Sequence, residues 1–208
     1  MAMDRYLPHD LLWTVCLDWL PADAPDWAVK VLQQGQPVVV RRANGAAGQV
    51  AVGLRGSNRE QRFASWMPAS SVLRRVSPEQ LAAHPVNDRH WPALKALQQL
   101  KPVLEATGLV WGVSGSAGYE LACGVAALHK YSDLDLILRT PVPMSRPAAR
   151  QLLERLQTPL CRIDVQLQTP KGAVALSEWA GDARQVLLKA SAGACLVADP
   201  WQVVERLA

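Results

Sequence analysis

The sequence predicts an α+β fold made of two modest domains. Its 208 residues exceed one typical small domain, and half of them are hydrophobic, which is enough for real cores. Helical and strand-like patterns occur in both halves. The polar stretch between Ser77 and Trp91 carries three prolines and is typical of a boundary. We therefore expect a small N-terminal α+β domain over residues 1–84 and a C-terminal domain, a mixed sheet flanked by helices, over residues 85–208.

In the N-terminal half, one helix and one hairpin carry the α+β prediction. Residues 25–34 favour a short helix that Gly35 stops. Residues 38–42 pair naturally with residues 49–55 across a glycine-rich turn.

The C-terminal half begins with a helix that leads into a strand. Residues 92–107 carry leucines at helical spacing, with a kink or break predicted at Pro102 and a stop at Gly108. Residues 109–113 are a short apolar run suited to a buried strand, and the apolar-rich residues 117–128 favour a second helix.

Further elements follow towards the C-terminus. Residues 146–157 are amphipathic and predict a helix, and residues 161–168 alternate as a strand does. Residues 186–190 and 194–198 favour a hairpin, which precedes residues 201–207.

Two alternating aspartates are the main functional indication. Asp133 and Asp135 are separated by one apolar residue, so a strand would aim both carboxylates at one face and Leu134 and Leu136 at the other. Two carboxylates that converge in this way would hold divalent magnesium. The pattern predicts a metal-dependent nucleotidyl-transfer site.

A turn upstream of the aspartates offers a place for phosphates. Gly115 and Ser116 let the backbone turn closely from a predicted strand into a predicted helix. A triphosphate beside this turn would meet backbone N–H groups, the Ser116 hydroxyl and the positive end of the helix.

A third carboxylate should come from a neighbouring strand, because two metal ions on a transferring phosphoryl group need more ligands than two carboxylates supply. Asp164 meets that requirement, since it lies on the polar face of the predicted strand at residues 161–168. The alternative is structural: Asp133 begins a strand, Asp135 lies on its solvent face, and Asp164 lies on a half-exposed edge strand.

Cationic residues could contribute to phosphate binding. Arg55, Arg59 and Arg62 could bind phosphates bidentately, or they could belong to a solvated arginine-rich turn. Lys189 could point inward from its strand and stabilise a triphosphate, or it could be an exposed strand lysine.

These motifs carry a resemblance to a known superfamily. Gly115-Ser116, the run Asp133 to Leu136, and Asp164 resemble the polymerase-beta-type nucleotidyltransferase superfamily over roughly the C-terminal half. Within it, the stretches GSAGYEL, SDLDL, LLKASAGACLVADPW, PVVVRR and GLRGSNREQR resemble the phosphoribosyl-dephospho-CoA transferases of malonate decarboxylase over nearly the whole chain.

The resemblance implies a fold, a reaction and partners. The C-terminal domain would have the nucleotidyltransferase fold, with Mg²⁺ or Mn²⁺ held by Asp133, Asp135 and Asp164. The substrate would be a triphosphoribosyl derivative of dephospho-CoA, and the acceptor a serine of the acyl carrier protein subunit of malonate decarboxylase, with release of pyrophosphate. Two alternatives stay open: another magnesium-dependent nucleotidyltransferase that uses a nucleoside triphosphate, and a non-catalytic adaptor that binds a carrier protein through its basic N-terminal face.

Composition disfavours other classes of function. No nucleic-acid partner is expected. The net charge is only +4 at pH 7, yet clustered arginines predict a basic N-terminal surface that suits an anionic partner. No stretch approaches the roughly 20 apolar residues of a membrane helix. Four scattered cysteines without a C-x-x-C pair predict a reducing cytoplasm.

Overall fold

The structure is a computed structural model that describes residues 6–58, 60–84 and 91–202. Its strands form one five-stranded and one six-stranded sheet, accompanied by helices, which confirms the predicted α+β class. The first sheet uses strands between residues 11 and 76, and the second uses strands between residues 111 and 197. The junction predicted near residue 85 falls on residues 85–90, outside the described residues, so the boundary stays a prediction.

The N-terminal sheet is antiparallel and has the strand order β4-β3-β2-β1-β5. Its strands are β1 (Leu11–Trp13), β2 (Val38–Val40), β3 (Gln49–Arg55), β4 (Arg62–Pro68) and β5 (Arg74–Val76). The predicted hairpin is confirmed, because Val39 pairs with Gly53 and Val40 with Val52. A short 3₁₀ turn, Ala69–Ser71, follows β4.

One helix, α1 (Asp26–Gln33), packs on this sheet. It follows Pro25 and ends before Gly35, whose φ of +71° continues the chain out of the helix, so the helix predicted over residues 25–34 is confirmed. Its buried Ala28 and Leu32 join the core of the sheet.

The C-terminal sheet is mixed and has the strand order β11-β10-β9-β8-β7-β6. Its strands are β6 (Trp111–Val113), β7 (Leu134–Arg139), β8 (Ile163–Thr169), β9 (Gly172–Ala175), β10 (Val186–Ala190) and β11 (Gly193–Val197). Strands β7 and β8 are parallel, and the other neighbours are antiparallel. The predicted mixed sheet and its terminal hairpin, β10 with β11, are confirmed, whereas residues 203–208 lie outside the described residues.

The remaining helices surround this sheet. They are α2 (Pro78–Ala82), α3 (Pro92–Glu105), α4 (Gly115–Cys123), α5 (Arg146–Arg155) and α6 (Leu176–Ala180). A break of α3 at Pro102 does not occur, because this proline lies in the last turn and the buried Leu100 and Leu104 on either side of it hold that turn in the core. Gly108, with φ +66°, follows its end.

Helix α4 is shorter than predicted, since residues 124–128 are not helical. Gly124 adopts the left-handed conformation and ends the helix, with its N–H donating to the Glu120 carbonyl at 2.8 Å. The Glu120 carboxylate then accepts the N–H groups of Ala127 and Leu128 at 2.7 and 2.9 Å. These bonds fix the loop that leads into β7.

The two faces of β7 have different environments. Leu134, Leu136 and Leu138 are buried in the larger core, on the face against which α3 packs. Asp135 and Arg139 alternate with them and therefore lie on the other face, where the N-terminal sheet and α2 are found. In the part of the chain that the structure describes, no helix is both long and apolar enough to span a membrane.

The nucleotidyltransferase fold stays a prediction, since the element order and topology above establish the α+β class alone.

Candidate active site

Two aspartates from neighbouring parallel strands lie side by side on this face of the C-terminal sheet. Asp135 of β7 is the register partner of Asp164 of β8, and the pair is called the acidic row below. Asp133 lies one residue before β7 and is exposed. The alternation predicted for both strands therefore brings two of the three predicted carboxylates into one row and leaves the third at its edge.

The turn before α4 approaches the acidic row directly. Gly115 begins α4 with φ +59°, a conformation that residues with a side chain rarely adopt. A Cβ atom there would lie 1.9 Å from Oδ2 of Asp135. The backbone of Ser114 is tied to the same strand, because its N–H donates to the Asp135 carbonyl at 2.9 Å. Glycine is required at 115 for its conformation and for the space beside the carboxylate.

Ser116 connects this turn to the N-terminal sheet. Its Oγ accepts hydrogen bonds from both terminal nitrogens of Arg55, Nη1 and Nη2, each at 3.3 Å. The Arg55 guanidinium also lies 4.9 Å from the ring centroid of Tyr119, which is one helical turn beyond Ser116. The Tyr119 hydroxyl donates to Gln36 at 3.0 Å. These contacts hold a cation from β3 over the N-terminus of α4.

The electrostatics of Asp135 reflect crowding of negative charge. Burial, and then the carboxylates of Asp164 and Asp133, raise the pKa of Asp135 from 3.8 to about 6. Arg162 and Arg55 act in the opposite direction and do not balance these effects. Burial and then the neighbouring Arg62 lower the pKa of Arg55, whereas Asp135 raises it. The row therefore favours a cation between its carboxylates.

A cavity of about 460 Å³ lies between the two sheets and is called the main cleft. Gly115, Ser116, Tyr119 and Asp135 line its C-terminal side. Its N-terminal side comprises β3, β4 and the segments near them, whose polar lining residues are His9, Arg41, Arg55 and Arg62.

His9 is a cleft residue that the sequence did not indicate. Its φ of +76° is unusual for a residue with a side chain, and such strain clusters at functional sites. Burial, then Arg42 and Arg139, lower the pKa of His9 to about 4, and a hydrogen bond with Gln166 acts against them. His9 is therefore neutral at physiological pH.

The other end of the same sheet face is basic. Arg139 is the register partner of Gln168, Gln168 of Ala173, and Ala173 of Lys189, so these four residues form a second row, the basic row. It lies four residues along the strand from the acidic row, about 13 Å at the usual strand rise. Lys189, predicted to meet a triphosphate, is exposed and belongs to this row rather than to the acidic one.

The structure unites most of the predicted site. Gly115, Ser116, Arg55 and Arg62 line the main cleft with Asp135, although Arg62 is exposed and bonds to backbone carbonyls of its own turn, Asn58 and Gln61. Arg59 lies outside the described residues, and its predicted role stays a prediction.

Tyr119 and Arg41 also line the cleft and were not predicted as site residues. Tyr119 belongs to the GSAGYEL stretch, three residues after Ser116, so its helical spacing was an available indication. Arg41 belongs to the N-terminal arginine cluster. His9 had no such indication, because it lies in a turn before β1 that is far in sequence from the other residues of the cleft and reaches the cleft only in the folded structure.

The donor chemistry of the acidic row fits a divalent cation. Within the described ranges, no three or more His, Cys, Asp or Glu side chains form a ready-made metal site. Magnesium, however, is commonly held by one or two carboxylates together with substrate phosphates. The mutual repulsion of Asp135 and Asp164 and the space that Gly115 leaves beside Asp135 both suit such a shared site.

Two family models together match nearly the whole chain. The model of the phosphoribosyl-dephospho-CoA transferase MdcG N-terminal domain matches residues 7–78, and that of its C-terminal domain matches residues 80–200.

Full-length relatives carry the same name. A phosphoribosyl-dephospho-CoA transferase of Pseudomonas syringae pv. tomato is 60% identical over 200 residues, which are 96% of this chain and 95% of that protein. Those of Pseudomonas fluorescens (58% over 203 residues, 98% and 97%) and Azotobacter vinelandii (54% over 201 residues, 95% of each) are similar along their length as well. No solved structure matches the chain.

Proposed function

The chain belongs to the phosphoribosyl-dephospho-CoA transferase family, and on that premise we propose that it loads the acyl carrier protein subunit of malonate decarboxylase. The donor is a triphosphoribosyl derivative of dephospho-CoA, the acceptor is a serine hydroxyl of the carrier protein, and pyrophosphate leaves.

One observation carries this proposal: Asp135, which is the register partner of Asp164, lines the main cleft together with the Gly115 turn and arginines of the N-terminal sheet. A triphosphate needs cationic and N–H donors on one side and a cation site on the other. Arg55 and Ser116 supply the first, together with the N–H groups at the start of α4, which have no partner within the helix. The carboxylates of Asp135 and Asp164 supply the second.

A divalent cation, magnesium or manganese, would be held by Asp135 and Asp164 with Asp133 beside them. When bound, it supplies neutralisation of the charge on the triphosphate and on the leaving pyrophosphate. The hard oxygen donors of the row suit both metals.

The protein groups position the reactants and receive one proton. Arg55 and Ser116 orient the triphosphate so that its α-phosphorus faces the open side of the cleft. The oxygen of the carrier-protein serine forms a bond to this phosphorus, and the bond from phosphorus to pyrophosphate breaks. The proton of the serine passes to the Asp164 carboxylate, which acts as the general base.

Intact-mass spectrometry of the carrier protein tests the proposal. Apo carrier protein is incubated with the enzyme, magnesium and the triphosphoribosyl-dephospho-CoA precursor, and we expect a mass gain equal to the phosphoribosyl-dephospho-CoA group. The Asp135→Asn variant should give no gain, whereas the Asp182→Asn control, at an exposed residue that pairs with Arg150 and lines neither of the cavities near the site, should behave as wild type.

A different outcome distinguishes the two alternatives from the proposal. Adduct formation from plain ATP, with none from the precursor, would assign a nucleoside triphosphate as the donor. Tight binding of the carrier protein without any product would assign an adaptor.

A further inference from the structure

A second cavity lies beside the basic row and has no role in the mechanism above. Its volume is about 450 Å³, and it is called the side cavity. Both halves of the chain contribute to it, and four cationic side chains line it: Arg41, Arg42, Arg139 and Lys171.

The positive charge of the side cavity is only partly balanced. Nε of Arg139 pairs with Oε1 of Glu79 at 2.8 Å. Arg42 instead donates to the neutral side-chain oxygen of Gln168. Among the residues that the structure describes, no ion pair involves Arg41, Arg42 or Lys171. Burial, and then the neighbouring Arg139, lower the pKa of Arg42.

Two buried donors at this cavity also lack a hydrogen bond. Nη2 of Arg139 and Nε2 of Gln168 have no partner among the described residues. A buried polar group without a partner is costly, and most such groups in native proteins are satisfied by some ligand or water. Both atoms donate, so the missing partner is an acceptor.

The side cavity and the main cleft are neighbours. Arg41 lines both of them. His9 lines the main cleft and forms a hydrogen bond with Gln166, which lies between the two rows on β8. The charges of Arg42 and Arg139 also act on His9 and lower its pKa. The two rows are about 13 Å apart along β7. One elongated ligand with two separated anionic groups can therefore occupy both cavities.

We propose that the side cavity binds the diphosphate of the dephospho-CoA part of the substrate while the main cleft holds the triphosphate. This inference rests on the proposed function. The precursor carries two phosphate groups of this kind, a triphosphate on the added ribosyl unit and the diphosphate of dephospho-CoA, separated by at least one ribosyl unit. Arginine forks match phosphate oxygens bidentately, and the orphaned donors of Arg139 and Gln168 add two more hydrogen bonds. Neutral His9 lies between the two anionic groups without repelling the cations around it.

Calorimetric titration with dephospho-CoA in EDTA tests this site without the triphosphate and without metal. Arg42→Gln should weaken binding about tenfold, because a charge-assisted hydrogen bond is lost. Lys171→Gln, at an exposed position where the fold is not at risk, should weaken it in the same direction. Lys101→Gln is the matched control, since this partly exposed lysine of α3 pairs with Glu105 and lines neither cavity. We expect the control to bind as wild type does.

Further probes separate the sources of the anion. ADP should compete with dephospho-CoA, and pantetheine, which lacks phosphate, should not bind. The inference is overturned if wild type does not bind dephospho-CoA, or if Arg42→Gln and Lys171→Gln bind it as tightly as wild type does. It is also overturned if inorganic pyrophosphate binds wild type as tightly as dephospho-CoA does, because that result would indicate a general anion site.

Failure of this inference and failure of the proposed function give different results. Transfer to the carrier protein with dephospho-CoA binding that is insensitive to Arg42 overturns the side cavity alone. Arg42-dependent binding of dephospho-CoA without any transfer to the carrier protein supports the side cavity and overturns the acceptor.

Discussion

Replacement of Asp135 by asparagine is expected to stabilise the metal-free protein while it abolishes transfer. The pKa of Asp135 is raised from 3.8 to about 6 in the folded state. About two pKa units correspond to about 3 kcal/mol of unfavourable free energy for the ionised form. The side chain is partly exposed, so solvent screening reduces this to about 1–2 kcal/mol.

The sign follows from linkage. A carboxyl group whose folded pKa is raised costs stability above that pKa, and the cost disappears as pH falls below the unfolded value. In EDTA at pH 8, Asp135→Asn should therefore have a higher free energy of unfolding than wild type. At pH 4 the two proteins should approach each other.

Urea denaturation followed by circular dichroism measures this difference, with Asp182→Asn as the exposed control. Magnesium at pH 8 should stabilise wild type and leave Asp135→Asn unchanged, because a ligand stabilises only the state that binds it. An Asp135→Asn variant that is less stable than wild type in EDTA at pH 8 would refute the account of crowded carboxylates.

Three further changes test the surroundings of the acidic row. Gly115→Ala places a Cβ atom 1.9 Å from a carboxylate oxygen of Asp135, so the rate of transfer should fall about a hundredfold. Gly108→Ala, with a similar φ of +66° but open space around the new Cβ atom, should lose stability and keep its transfer rate. Equal transfer rates in the two variants would contradict this. Arg55→Lys should raise the KM for the precursor about tenfold in steady-state assays, because lysine cannot reproduce the two-nitrogen guanidinium contact at the start of α4. Arg74→Lys also removes an arginine that lies over an aromatic ring, and it should leave the KM unchanged. Protonation of His9 on unfolding should contribute a loss of up to about 3 kcal/mol of stability in urea titrations as pH falls from 6.5 towards 4, since the folded state keeps His9 neutral. His9→Asn, which tolerates the positive φ, lacks this contribution, so its stability should fall less with pH than that of wild type; parallel acid limbs would exclude His9 as the cause.

Elements with a strong local pattern were predictable from the sequence. The hairpin of β2 and β3 was predictable because its apolar runs flank a glycine-rich turn, and helix α1 because Pro25 precedes it and Gly35 follows it. The pairing of Asp135 with Asp164 followed from alternation along two separate strands, and the structure adds their register. In each case the relevant interactions are local or have a period that the sequence displays.

Features that depend on tertiary contacts were not predictable. Pro102 lies inside α3 because buried leucines outweigh one lost hydrogen bond near the helix end. Helix α4 stops at Gly124 because the Glu120 carboxylate binds the following loop, a contact between residues seven and eight apart. The basic row likewise requires the register of four strands, and no single segment reveals it.

The central claim is that the acidic row is the catalytic centre of transfer to the carrier protein. The most direct measurement is the single-turnover rate of adduct formation by Asp164→Asn, with precursor and magnesium at saturation and with Asp182→Asn as control. The account predicts a fall of at least about a hundredfold, because the variant loses both the general base and a cation ligand. A rate close to that of wild type would contradict it.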